Sequence, residues 1–143
     1  GDRGLAAVAQ EQASRWGALM KEKGLDFQLI EEGQDDGRYN ATFLATVMAN
    51  LLRNALHYTE RGEVRLILEP GAFRIEDSGA GIPAEQHERI FQPFVRGAQA
   101  RGEGLGLGLS LVKRICAKQG WSVSLQSEPG STRFRVTLNE EDA

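Results

Sequence analysis

The sequence predicts an α+β fold in two layers, a mixed and mostly antiparallel sheet with helices packed on one face. Three observations point there. Apolar residues recur at helical spacing in three long segments. Short alternating segments lie between them and read as strands. Two pairs of these strands are joined by tight turns, so strands arrive in runs instead of singly between helices. That order favours helices segregated to one face of the sheet.

In chain order, the first helix carries Leu5, Val8, Ala9, Gln12, Trp16, Leu19 and Met20 on one face and ends at Gly24. The opening GDRG reads as the start of that helix. LDFQLI alternates as a strand, and EEGQDDGRYN is a polar, turn-rich loop. A second helix runs from Ala41 to Tyr58, with Phe43, Leu44, Val47, Met48, Leu51, Leu52 and Ala55 as its buried arc. TERGE breaks it. VRLILE and FRIED form a hairpin across PGA, SGAGIP is a sharp loop, and AEQHERIF is a short helix. QPFVRGAQARGEGLG is a long loop rich in glycine and arginine; such loops in compact domains are functional or disordered. Leu109, Leu111, Val112, Ile115 and Cys116 mark a third helix with a basic opposite face. WSVSLQ and TRFRVTL are a second hairpin around SEPGS.

At 143 residues the chain is one domain, large enough to bury a core unaided. A net charge of −3 argues against a broad nucleic-acid footprint, so no nucleic-acid partner is expected. The single cysteine, Cys116, forbids an internal disulfide and fits a reducing, cytoplasmic compartment. No apolar run reaches membrane-spanning length and no signal peptide is visible. The abrupt start is what a piece excised from a longer parent would show, and that parent could still be membrane-bound.

Four clusters could carry chemistry. In NLLRNALHYT, Asn50, Asn54 and His57 stand at i, i+4 and i+7, a narrow arc beside the apolar face at about 100° per residue. Asparagine is poor in helix interiors. The strip suits a cavity wall that offers an amide oxygen to a hard cation such as Mg²⁺; for one asparagine alone, a solvated or capping role is commoner. In EDSGAGIP a strand ends at Asp77, and Gly79 and Gly81 follow. The acid can accept from an amine and the glycines admit a ligand close to the backbone, while a plain strand-to-helix turn explains the same residues equally well. GAGIPA formally fits G-x-G-x-x-A, but it follows a hairpin, and Asp77 would set negative charge beside a pyrophosphate, so a dinucleotide site is rejected. In IFQPFVRG, Phe91 and Phe94 anchor the base of the long loop and Arg96 points outward. In GEGLGLGLS, glycines alternate just before a helix. Their N–H groups and the helix N-terminus can form an anion site, though not by the P-loop or Rossmann spacing; a flexible hinge is the competing reading.

Taken in order, the four clusters resemble those of the catalytic ATP-binding domain of bacterial two-component sensor histidine kinases, within the superfamily that includes DNA gyrase, heat-shock chaperones and mismatch-repair ATPases. NLLRNALHYT resembles the N box, EDSGAGIP the G1 box, FQPFVR the F box and GEGLGLGLSLVKRI the G2 box, and STRFRVTL is similar to the family's final hairpin. The resemblance covers roughly residues 5–138.

The resemblance implies a Bergerat-type sandwich with ATP held between helices and a mobile lid. It implies that Asn54 coordinates Mg²⁺, that Asn50 lines the same strip, and that Asp77 accepts a hydrogen bond from the adenine amine. Gly79 and Gly81 would let the base pack against the backbone, with Ile82 in the same nucleotide-binding set. Tyr58 would flank the base, and Thr132 would reach adenine through a water. Gly104, Leu105, Gly106, Leu107 and Gly108 would wrap the phosphates as the lid closes, and the lid should be mobile or missing without ligand. Arg96 and Arg101 would neutralise phosphate charge, Arg96 joining Asn54 as catalytic. The implied partners are the dimerisation and phosphoacceptor domain of the same protein and a response regulator receiver domain. The fragment should be a monomer, and its parent a homodimer anchored in the bacterial inner membrane.

Three departures qualify this. His57 stands where Lys or Arg is usual, so a phosphate contact there is weaker and pH-dependent. Asn50 stands where hydrolytic members carry a glutamate that activates water, which argues against self-contained hydrolysis. The phosphoacceptor is missing: His57 and His87 are the two histidines, and neither lies in an H-[DE]-x-[KR]-x-P setting. The chain should therefore bind ATP yet not autophosphorylate alone. Its alternatives are an ATPase or serine kinase of the superfamily and a degenerate nucleotide-binding or scaffold module.

Overall fold

The structure is a computed structural model that describes residues 1–92 and 108–138. Strand β1 (Asp2–Arg3) and helix α1 (Leu5–Lys23) are followed by β2 (Asp26–Glu31), β3 (Tyr39–Asn40) and helix α2 (Ala41–Tyr58). Then come β4 (Glu63–Glu69), β5 (Ala72–Asp77), helix α3 (Gly108–Gln119), β6 (Ser122–Glu128) and β7 (Ser131–Thr137). The main sheet has five strands in the order β2-β4-β5-β7-β6. Only β2 and β4 run parallel; the other neighbours are antiparallel. A parallel pair needs a long crossover, and α2 lies within it.

Two segments differ from the sequence-based expectation. The opening residues do not start α1: β1 pairs antiparallel with β3, Asp2 opposite Asn40, at the end of the stretch read as loop. Strands of two residues are too short to show a period. AEQHERIF forms two 3-10 turns, Ala84–Gln86 and Arg89–Phe91, with Ile90 as their buried residue. One apolar anchor does not define the face a longer helix needs.

Packing explains the rest. α1 buries Leu5, Val8, Ala9, Trp16 and Met20, whereas Leu19, expected on that face, is 38 % exposed. At Gly17 a Cβ would lie 3.0 Å from the Phe27 ring, so the glycine lets α1 settle onto β2. Asn40 caps α2 by accepting from the Phe43 amide at 2.9 Å, a contact worth about 1 kcal/mol. Leu44, Val47, Met48, Leu51, Leu52 and Ala55 are all buried, so α2 forms the centre of the core, contacting α1 and α3. Phe43, at the edge of that arc, is half-buried with the Lys118 ammonium 5.6 Å from its ring centre. The far end of α2 is tied down by α1: Lys23 Nζ donates to the Leu56 carbonyl at 2.5 Å and to that of His57 at 3.4 Å.

The inward sheet face is apolar: Val64, Leu66 and Leu68, Phe73 and Ile75, Phe134 and Val136 are buried against the helices. The opposite face carries crossed ion pairs. Arg74 meets Glu32, Glu69 and Glu76, Arg135 meets Glu69, and Arg133 meets Glu76. The hydrogen bond from Arg135 helps hold the Glu69 carboxyl below its ordinary range. At Glu76 burial opposes ionisation, but Arg74 and the neighbouring arginines outweigh it. Among the described residues no helix is long and apolar enough to cross a membrane.

Candidate functional site

The sheet end of the site begins where β5 ends. Asp77 lies on the row that faces the helices and is 9 % exposed. The Gly79 amide donates to Asp77 Oδ1 at 2.8 Å. Burial pushes the carboxyl up; the Gly79 amide and the nearby Thr59 hydroxyl pull it back. Gly79 has no room for a side chain, since a Cβ would lie 2.7 Å from the Tyr58 carbonyl oxygen and 3.0 Å from Asp77 Oδ1. Gly81 adopts φ 91°, and a Cβ there would lie 2.6 Å from the Glu128 carbonyl oxygen. Both glycines are thus demanded by neighbouring backbone, one at the end of α2 and one at the β6–β7 turn.

Three further bonds fasten this loop to the second hairpin. The Gly130 amide donates to the Gly79 carbonyl at 3.0 Å. The Ile82 amide donates to Ser127 Oγ at 2.7 Å. Ser127 Oγ and Thr132 Oγ1 lie 2.7 Å apart. Thr132 stands directly opposite Asp77 on β5 and Ser127 on β6. Residues directly opposite share a face, so Asp77, Thr132 and Ser127 form one polar row across three strands. His87 Nε2 lies 2.7 Å from the Ile82 carbonyl oxygen on the far side of the loop.

The helix end is α2 itself. Asn50, Asn54 and His57 are all half-buried along one flank. Asn50 Nδ2 donates to the Thr46 carbonyl at 2.8 Å, and its Oδ1 accepts from Arg53 Nη2 at 3.1 Å. Among the described residues no hydrogen bond engages the Asn54 amide. Gly108 opens α3 against the same flank: a Cβ there would lie 2.9 Å from Asn50 Oδ1 and 3.2 Å from Arg53 Nη2. Phe91 packs edge-on against Phe134 at 6.0 Å, with the Lys113 ammonium 5.5 Å from its ring centre, and so anchors one side of the expected loop. Phe94, Arg96, Arg101, Gly104, Leu105, Gly106 and Leu107 lie outside the described residues.

The residues present fit an adenine nucleotide. Asp77 is a buried acceptor that shares a polar row with Thr132 and Ser127, beside the buried Thr59 hydroxyl. They also fit a magnesium ion that is carried mainly by phosphate. Among the described residues no group of three or more His, Cys, Asp or Glu side chains converges. Mg²⁺ often takes one or two protein oxygens and completes its shell with substrate phosphates and water, and Asn54 offers such an oxygen.

The family described as histidine kinase-, DNA gyrase B- and HSP90-like ATPases matches residues 39–142. The chain belongs to this family. Sensor histidine kinase AruS of Pseudomonas aeruginosa is 39 % identical over 138 residues, 88 % of this chain and 13 % of its own. Sensor-like histidine kinase SenX3 of Mycobacterium tuberculosis is 39 % identical over 106 residues, 68 % of this chain and 26 % of its own. The catalytic domain of histidine kinase ThkA superposes with a TM-score of 0.82 at 25 % identity, over 96 % of this chain and 93 % of that one. Full-length ShkA in complex with AMPPNP gives 0.84 at 25 % identity, over 95 % of this chain and 30 % of that one. The chain spans about a quarter or less of the curated relatives it matches. It is an ATP-binding catalytic domain of the sensor histidine kinase type, and its α+β sandwich is that domain's fold.

For this histidine kinase-like ATPase domain, the structure brings together Asn50, Asn54 and Gly108 at one end and Tyr58, Asp77, Gly79, Gly81, Ile82 and Thr132 at the other, with His57 between them on α2. Sequence reasoning missed three residues. Ser127 lies on the inward parity of β6 with Val123 and Leu125, a signal that strand alternation carries. Arg53 packs between Asn50 and α3, and no pattern in the sequence marks it. Thr59 follows α2 as its cap residue, and only the three-dimensional neighbourhood of Asp77 gives it meaning.

Proposed function

We propose that the chain binds Mg-ATP and donates the γ-phosphoryl group to a histidine on the dimerisation domain of a longer parent, for relay to a response regulator receiver domain. The observation that carries this reading is the buried Asp77 carboxylate, held by Gly79 opposite Thr132, at the tip of the helix that carries Asn54. The Gly79 amide engages one of its two oxygens, so the carboxylate keeps acceptor capacity for a base edge that brings an amine and disfavours one that brings a carbonyl. Gly79, Gly81 and Ile82 support the base, Tyr58 flanks it, and Thr132 acts through a water. Asn50 and Asn54 direct the phosphates along α2, with His57 a weaker contact. Asn54 would hold Mg²⁺, which when bound would supply positive charge to offset that of the phosphates. Gly104, Leu105, Gly106, Leu107 and Gly108 offer backbone amides to the phosphates, and Arg96 and Arg101 offer charge. The acceptor imidazole nitrogen attacks the γ-phosphorus and ADP leaves.

Asn50 is an amide where a hydrolytic enzyme needs a carboxylate to activate water, which supports transfer to a histidine over hydrolysis. Two measurements test the proposal. In calorimetric titration, a non-hydrolysable ATP analogue should bind more tightly with Mg²⁺ than without, and the guanine analogue should not compete. Mixed with a phosphoacceptor domain, the chain should convert ATP into acid-labile phosphohistidine; alone it should not. No binding at millimolar analogue would overturn the proposal.

A further inference from the structure

Thr59 is the first residue beyond α2 and is fully buried. Its amide closes the helix by donating to the Ala55 carbonyl at 3.0 Å. Its hydroxyl oxygen is sealed from solvent and makes no hydrogen bond of ordinary geometry among the described residues, yet it lies near enough to Asp77 to favour that carboxyl's ionised form. A buried hydroxyl left unpaired carries its full desolvation cost, so unpaired groups in native proteins call for an explanation. Nothing in the packing of the helix end requires a hydroxyl: valine has the same shape. The neighbour of interest is Asp77. A Cβ built on Gly79 would touch Asp77 Oδ1 at 3.0 Å and Thr59 Oγ1 at 3.3 Å, so the two oxygens flank one point.

Building on the proposed function, we infer that Thr59 is a positioning residue for adenine recognition: its hydroxyl, directly or through one trapped water, donates to Asp77 and keeps the carboxylate ionised and aimed at the base. Burial alone drives Asp77 toward its protonated form, and a protonated acid is a poorer acceptor for the adenine amine. The Gly79 amide supplies one compensating donor, and Thr59 is placed to supply a second. The groups around Asp77 are few. Val64 stands opposite on β4, Thr132 on β7, and the Tyr58 carbonyl with Thr59 closes the α2 side. Among the described residues, burial, the Gly79 amide and the Thr59 hydroxyl are the influences on its ionisation, with no charged side chain among them.

The test compares the chain with Thr59→Ser and Thr59→Val by calorimetric titration with a non-hydrolysable ATP analogue, from about pH 8 to about pH 5. Thr59→Ser keeps the hydroxyl and should bind within about twofold of the unmodified chain. Thr59→Val should bind about tenfold more weakly near neutral pH, and its affinity should fall away at a higher pH than that of the unmodified chain. Thermal melting of the unliganded valine variant should drop near neutral pH, where the buried Asp77 carboxylate loses a donor, and by less as pH falls and the carboxyl protonates. Equal affinity and an identical pH profile for valine would overturn the inference, as would equal losses in both variants with lowered melting. Absence of binding by the unmodified chain would instead overturn the nucleotide reading, and the inference with it.

Discussion

Asp77 and Asn54 serve one ligand under the proposed function, yet they are held differently. Asp77 sits in a frame cross-linked by backbone and hydroxyl hydrogen bonds: Gly79 to its own carboxylate, Gly130 to Gly79, Ile82 to Ser127, and Ser127 to Thr132. Asn54 projects half-buried from a helix whose opposite side is core, and none of the described residues holds its amide. The sheet end is set before a ligand arrives, so ordering costs little there. The helix end has an amide oxygen in reserve for a partner that comes with the ligand. Base selectivity therefore belongs to the rigid end, and metal and phosphate dependence to the helix end.

The sharpest way to break this comparison is Asp77→Asn. Affinity for the adenine analogue should fall about 100-fold, near 3 kcal/mol, while the unliganded chain should melt no lower at neutral pH. The sign follows from the raised pKa of Asp77 in the fold. Its contribution to stability is fully present below the unfolded value near 4 and is lost as pH rises through the folded value; asparagine removes that loss. Titration and melting on the same sample check both halves, and retained binding with lowered melting would reverse the assignment.

Gly81→Ala tests the rigid frame next. At φ 91° with a Cβ 2.6 Å from the Glu128 carbonyl oxygen, neither side can yield. Denaturant unfolding should show a loss of about 2–3 kcal/mol. Gly120→Ala, at φ 77° with open space around it, should lose only about 1 kcal/mol.

Asn54→Ala is smaller and strikes the other end. It should remove about tenfold of the Mg²⁺-dependent part of binding, near 1.4 kcal/mol, and shift unfolding by less than about 0.5 kcal/mol. Equal loss with and without Mg²⁺ would sever Asn54 from the metal.

The smallest effect uses pH to separate Asp77 from carboxylates on the outer face of the sheet. Glu69 and Glu76 are held below their ordinary range by arginines. Their stabilisation is present above the unfolded carboxylate value near 4 and is lost as pH falls through the folded values, opposite in sign to Asp77. Glu76→Gln should flatten that acid limb by about 0.5–1 kcal/mol, read from melting temperature against pH.

Helical and strand periods alone were enough to place the three long helices and both hairpins, because an arc such as Leu44 to Ala55 has only one face to bury. The same logic put Asn50, Asn54 and His57 on one flank, and motif order tied them to Asp77 and the glycines. It failed for β1 and β3, whose pairing joins residues far apart in the chain, and for the 3-10 turns after Gly81, where Ile90 is the one buried residue. It also put Leu19 on the buried face of α1, because spacing marks the direction of a side chain and not the reach of its neighbours.

By itself, the sequence determined the layer architecture and the polar groups available to a nucleotide, since these depend on local period and residue type, while the order of its four motifs carried the resemblance to the family. Tertiary structure decided why Gly79 and Gly81 must be glycine, which strand positions Thr132 and Ser127 share with Asp77, and which buried hydroxyl lies beside the carboxylate. Those are distances between segments remote in the chain, and they exist only once the sheet register and the end of α2 are set against each other.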